Sequence, residues 1–243
     1  MLLGSATCLA VTLALAVYVA RGQGPSAVDR ATAGWLHENR VVALDRIWRA
    51  VALLGGSAVL GAVVLACCIL AWRRATPRWV VFFVSSYVGV EALFWSLKVV
   101  VDRPRPPFSL RLATASSPSF PSGHAAVAAA VGAALLVAAR ATTLLPSRAV
   151  LATFIGLPLV VGFSRLALDV HWLTDVLGGF SLGLGWVLLC AALVLRDRVG
   201  PPRQAEVERV RSLPPAAHDA QEADHGQNDH DYHEDGPEHV ELL

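Results

Sequence analysis

The chain has 243 residues, 55% of them hydrophobic, and a formal net charge of only +1. Soluble domains of this length rarely carry so much apolar weight, and no nucleic-acid partner is expected. The four cysteines, Cys8, Cys67, Cys68 and Cys190, all fall inside apolar runs, where they read as small packing residues rather than a disulfide framework.

Six apolar windows follow along the chain: 2–20, 50–72, 79–101, 125–139, 149–163 and 172–195. About 20 apolar residues cross a ~30 Å hydrocarbon core as a helix. The runs show no period-two alternation, so a barrel is not expected. The predicted fold is all-α: a polytopic bundle of six transmembrane helices. The first window lacks a basic n-region and a small-x-small cleavage site, so we read it as a retained helix rather than a signal peptide. Between the first two windows, the stretch 33–51 is amphipathic. Trp35, Leu36, Val41, Val42, Leu44, Ile47 and Trp48 line one side, suited equally to the membrane surface or to a plain connector helix.

Arginine bias gives the orientation. The loop 73–78, the region of Arg140 and Arg148, and the stretch 196–211 are basic. In a six-helix topology they share one side, expected to be cytoplasmic in a cell (inner) membrane, with both termini there. The loop bearing Arg103, Arg105 and Arg111 then falls outside, against the rule, and needs another reason for its charge. We place the membrane domain at 1–198 and a tail at 199–243. Residues 212–243 hold nine acids, no Lys or Arg, and five of the eight histidines. Low apolarity and like-charge crowding predict a disordered tail.

Three clusters set polar groups beside apolar helices. Lys98, the only lysine of the chain, ends the third window and precedes Arg103 and Arg105. Pro121-Ser122-Gly123-His124 opens the fourth, and Ser164, Arg165, His171 and Asp175 lie between the fifth and sixth. Alternating topology brings all three to the outer membrane surface. Alone, Lys98 reads as a snorkelling anchor, and His171 with Asp175 as a structural hydrogen bond. Together they suit phosphoryl transfer. Lys98, Arg105 and Arg165 offer cations, with guanidinium forks that match phosphate oxygens. Ser122 and Gly123 open a helix whose free N–H groups attract anions. His171 and Asp175, four apart, share a helical face. The carboxylate can fix the imidazole tautomer, leaving the other nitrogen to attack phosphorus. His124 is placed to protonate the leaving oxygen and then activate water.

The pattern Lys98-x6-Arg105-Pro106, then Pro121-Ser122-Gly123-His124, then Ser164-Arg165-x5-His171-x3-Asp175 resembles the type 2 phosphatidic acid phosphatase family. That family groups with vanadium haloperoxidases and bacterial acid phosphatases. The resemblance implies a phosphate held by Lys98, Arg105, Ser122, Gly123 and Arg165. It implies a phosphohistidine formed on His171, with Asp175 orienting it and His124 as acid/base. It also implies catalysis without metal or other cofactor. The substrate expected is a membrane lipid phosphate: an isoprenoid (undecaprenyl-type) pyrophosphate, phosphatidic acid or phosphatidylglycerol phosphate, with no choice among them. The other readings are a vanadate-dependent haloperoxidase and a non-catalytic lipid-phosphate binder or transporter. Arg103 and Ser164 are auxiliary candidates, and the intramembrane carboxylate of Glu91 is a third. Asp169 puts a charge where the family resemblance leads one to expect a small residue. Oligomeric state is left open.

Overall fold

Inside a bilayer every backbone N–H and C=O needs a partner within its own segment, which makes apolar windows helical. A computed structural model of the chain describes residues 1–22, 24–107, 111–141 and 148–195, and these contain helices and no strands. The helices are α1 (Leu2–Arg21), α2 (Ala27–Glu38), α3 (Asp45–Leu54), α4 (Ser57–Arg73), α5 (Pro77–Val101), α6 (Gly123–Ala141), α7 (Arg148–Ala167) and α8 (Leu173–Val194). A 3-10 turn, Val42–Leu44, leads into α3. The expected tail, 199–243, lies outside the described residues.

Every apolar window contributes a helix, but the span count is coarser than six. Among the described residues α1, α5, α6 and α8 are long and apolar enough to cross a membrane. A fifth span exists if the bent pair Val42–Leu54 and Ser57–Arg73 counts as one, while α7 supplies the shorter apolar piece Phe154–Ala167. Large apolar side chains such as Leu13, Leu65, Val99 and Val100 point outward, as lipid-facing surfaces require.

The window 50–72 is not one helix. It breaks at Gly55-Gly56 with a 43° bend, and Gly56 takes an extended conformation to start α4. Hydropathy hides such a break because glycine is nearly neutral on that scale, whereas its helix propensity is poor. The site also leaves no room: a Cβ on Gly55 would lie 2.3 Å from Val161 Cγ1 of α7. The amphipathic stretch 33–51 is likewise split, into the end of α2, the 3-10 turn and the start of α3.

α8 is the centre of the bundle and packs against α1 and α6. Ser5 Oγ donates to Gly185 O at 2.8 Å, and Thr12 and Ser181 hydroxyls meet at 2.9 Å. On the other side a Cβ on Gly183 would lie 2.2 Å from Ala126 O. Small residues at such crossings let helix backbones touch, the usual basis of association where apolar burial gives no advantage.

Candidate active site

Helices α5 and α7 end, and α6 and α8 begin, at the same end of the bundle. The expected convergence of the three clusters is therefore present. The loop after α5 ties it together: Ser119 N–H donates to Arg103 O at 2.8 Å, Leu112 N–H to Leu168 O at 3.0 Å, and Ser122 N–H to Asp175 O at 2.9 Å.

His171 sits just before α8, 4% exposed. Its Nδ1 lies 3.3 Å from Asp175 Oδ2 and its Nε2 lies 3.0 Å from Arg105 Nη1. An ionised carboxylate only accepts, so Nδ1 carries the proton and the Nε2 lone pair faces the guanidinium. Burial pushes the imidazole pKa down to about 3, reinforced by Arg105 and Arg165, while the Asp175 hydrogen bond works the other way. The ring is neutral at ordinary pH, as an attacking nitrogen must be.

Arg105 reaches His171 from a fixed seat. Nε donates to Ser117 O at 2.7 Å, Nη1 to Val170 O at 2.6 Å, and Nη2 to Ser117 Oγ at 3.2 Å and Pro118 O at 3.3 Å. Burial, with Arg111 nearby, lowers its pKa to about 10 against the pull of Asp175, so it remains a cation. Lys98 is buried in the last turn of α5, and Nζ donates to the Pro118 and Ser119 carbonyls. Arg165, 6% exposed, buries an Nε with no hydrogen-bond partner. An unsatisfied buried guanidinium donor is costly unless an anion takes it.

Two helix-start residues behave differently from their simplest reading. Ser122 uses its N–H on Asp175 O, and its hydroxyl lies 3.5 Å from Ala125 N at the start of α6. Gly123 is tight against α5, where a Cβ would lie 2.9 Å from the Phe94 ring. His124 contacts the Ala52 carbonyl. It lines, with Arg165, Arg49, Leu53, Val59 and Leu168, a cavity of about 760 Å³ beside the α3–α4 break.

Of the auxiliary candidates, Ser164 turns its hydroxyl back to Val161 O at 2.6 Å within α7, away from the imidazole. Glu91 lies one turn after Tyr87, whose hydroxyl donates to Ser57 O at 2.7 Å, and its Oε1 is buried without a partner. Neither meets His171. Asp169 adopts a left-handed φ of 51°, a conformation short polar side chains tolerate. Its carboxylate lies 3.8 Å from His37 Nδ1. The turn thus accepts this charge.

Arg103 does not join the cations around His171 Nε2. It is buried between two carboxylates: Nη1 pairs with Asp175 Oδ1 and Nη2 with Asp29 Oδ2 at 2.7 Å. Three residues of this network, Thr174, Ser119 and Asp29, were not singled out from the sequence; the Thr174 hydroxyl accepts from Arg103 Nη1 at 2.8 Å. Ser119 Oγ donates to Asp175 Oδ2, and nothing marks it in a loop rich in serine and proline. Asp29 caps α2 with Ser26, whose N–H donates to Asp29 Oδ2 at 3.1 Å while Asp29 N–H donates to Ser26 Oγ at 3.0 Å. The Ser-x-x-Asp spacing was a legible signal for that cap. Burial would raise the Asp29 pKa, but hydrogen bonds from Thr174 N–H, Arg103 and Ser26 outweigh it and hold the carboxyl below its ordinary range. Among the described residues no cluster of three or more His, Cys, Asp or Glu is arranged to hold a metal.

The arrangement, a buried His–carboxylate pair ringed by cations at one end of a membrane bundle, suits transfer of an anionic group to His171. Comparison with known proteins agrees with that class. Residues 78–198, about half of the chain, match the sequence profile of the PAP2 superfamily. The chain is 43% identical to phosphatidylglycerophosphatase B of Bacillus subtilis (strain 168) over 91 residues. That match covers 36% of this chain and 44% of the relative, less than half of its length. A solved transmembrane PAP2-type phosphatidylglycerolphosphate phosphatase from Bacillus subtilis is similar with a TM-score of 0.71 and 27% identity, over 82% of this chain and 98% of that one. Aquifex aeolicus LpxE shares the fold, with a TM-score of 0.56 and 22% identity over 70% and 96% of the two chains. The chain belongs to the PAP2 superfamily, the type 2 phosphatidic acid phosphatase family.

Proposed function

We propose that this protein is an integral membrane lipid phosphatase that hydrolyses a phosphate monoester or pyrophosphate through a phosphohistidine on His171. The observation that carries this reading is the His171 ring, held by Asp175 at Nδ1 and facing Arg105 at Nε2. An incoming phosphate oxygen takes the Arg105 Nη1–H that faces His171, which frees the Nε2 lone pair, and another takes the free Arg165 Nε–H, with Lys98 and the start of α6 at Ser122 and Gly123 adding positive potential. Nε2 attacks phosphorus, the N–P bond forms and the P–O bond to the lipid breaks. His124 gives its proton to the leaving oxygen, then takes one from the water that cleaves N–P. Asp175 stabilises the ring as it gains positive charge.

The cavity shared by His124 and Arg165 is suited to the leaving lipid. Phosphatidylglycerol phosphate is the first substrate to test, since the two Bacillus subtilis relatives are named for it. Phosphatidic acid and an isoprenoid pyrophosphate complete the panel. No step in this scheme calls for a metal. The basic loops support a site on the extracytoplasmic side with both termini cytoplasmic. The test is phosphate release from these three lipids by detergent-solubilised protein in chelator. Release from at least one, lost in His171→Ala, supports the reading. Phosphate-lipid binding without release by the wild type would overturn it in favour of a carrier.

A further inference from the structure

Two buried carboxylates share one guanidinium beside the candidate nucleophile. Asp29 and Asp175 are 0% exposed and Arg103 is 5% exposed. Arg103 Nη1 also donates to Thr174 Oγ1 at 2.8 Å. Asp29 Oδ1 accepts from Thr174 N–H at 2.9 Å, at the start of α8. Asp29 belongs to α2, outside the matched residues 78–198, so α2 reaches the site from beyond the family region.

Buried ions are retained at a desolvation cost, and here the count is unequal: two negative charges hydrogen-bond one positive. Both Asp175 oxygens are also committed. Oδ1 receives Arg103, and Oδ2 receives Ser119 Oγ, Trp172 N–H and His171. Rotation of the carboxylate would break the Arg103 contact, so Arg103 fixes which oxygen faces the imidazole. Asp29 in turn holds the other arm of Arg103 and the first turn of α8.

We infer that Asp29 and Arg103 are a positioning couple that holds the Asp175 carboxylate, and through it the His171 ring, in attacking register. The inference rests on the phosphatase reading for its kinetic consequence. A plain brace between α2 and α8 would change stability and leave the ring and the chemical step alone.

The test compares wild type with the double variant Asp29→Asn/Arg103→Gln, which removes one charge of each sign while Asp175 keeps Ser119 Oγ, Trp172 N–H and His171. In folded protein, KM and competitive inhibition by inorganic phosphate should stay within about twofold, while kcat falls about 10- to 100-fold, the scale of a small misplacement of a reacting group. Histidine-selective 15N NMR should show a single Nδ1–H tautomer for His171 in wild type and a mixture in the double variant. Unchanged kcat with an unchanged tautomer overturns the couple, as does a loss confined to KM. The NMR comparison needs no turnover, so a wild type that releases no phosphate defeats the phosphatase reading while the couple is still decided. Should the double variant not fold, Arg103→Lys decides. It keeps the charge and loses the fork, and the couple requires reduced kcat with mixed tautomers, whereas wild-type values for both overturn it.

Discussion

Arg105→Lys keeps the charge at the candidate site and removes its geometry. The guanidinium makes five contacts within 3.3 Å, to Ser117 O, Ser117 Oγ, Pro118 O, Val170 O and His171 Nε2. A lysine ammonium has three donors at one point, so it cannot hold the Ser117–Pro118 loop and face His171 together. If the lost fork acts on the transferring phosphoryl group, the penalty is that of removing one preorganised donor, about 3–4 kcal/mol or roughly 10²- to 10³-fold in kcat. The assay is phosphate release in detergent micelles, with thermal melting to confirm folding. A variant that folds and retains kcat within threefold of wild type would refute the assignment of Arg105 to phosphate.

Three further predictions follow from the bundle, the histidine and the loop. Gly183→Ala should lower stability by about 1–3 kcal/mol, because the added methyl would meet Ala126 O at 2.2 Å; an unchanged melting temperature would contradict the packing. His171 should remain neutral at pH 5, with its pKa lowered to about 3 by burial, and 15N chemical shifts assigned by a His171→Asn variant would show it. Below about pH 6.5 the unfolded chain takes up a proton that this ring refuses, so stability falls as pH falls, by up to ~1.4 kcal/mol per unit from this group. Titration of the folded ring near 6.5 would contradict the burial. For orientation, Ser109→Cys should react with an impermeant thiol reagent in intact cells, and labelling only after lysis would invert the proposed topology.

Much of the site was legible because charge is conspicuous in an apolar chain. Lys98, Arg105, Arg165 and the His171–Asp175 pair stand out at helix ends, and helix alternation alone gathers them. Their pairing is less visible. Arg103 and Arg105 look alike in an Arg-Pro repeat, yet one faces His171 and the other is sealed between Asp29 and Asp175. That division depends on where α2 docks, which local spacing does not encode. Ser119 was hidden for the same reason, since its importance comes from a tertiary partner. The helices were legible through hydropathy, but the Gly55-Gly56 break was not, because it reflects backbone propensity and the approach of Val161.

The most direct test is to trap the proposed intermediate. Purified protein is incubated briefly with lipid phosphate carrying 32P in the transferred group, then quenched in alkali, where a phosphohistidine survives. The account predicts label on His171 in wild type and none in His171→Asn. Phosphate release at the wild-type rate by His171→Asn, or label that persists in it, would contradict the account.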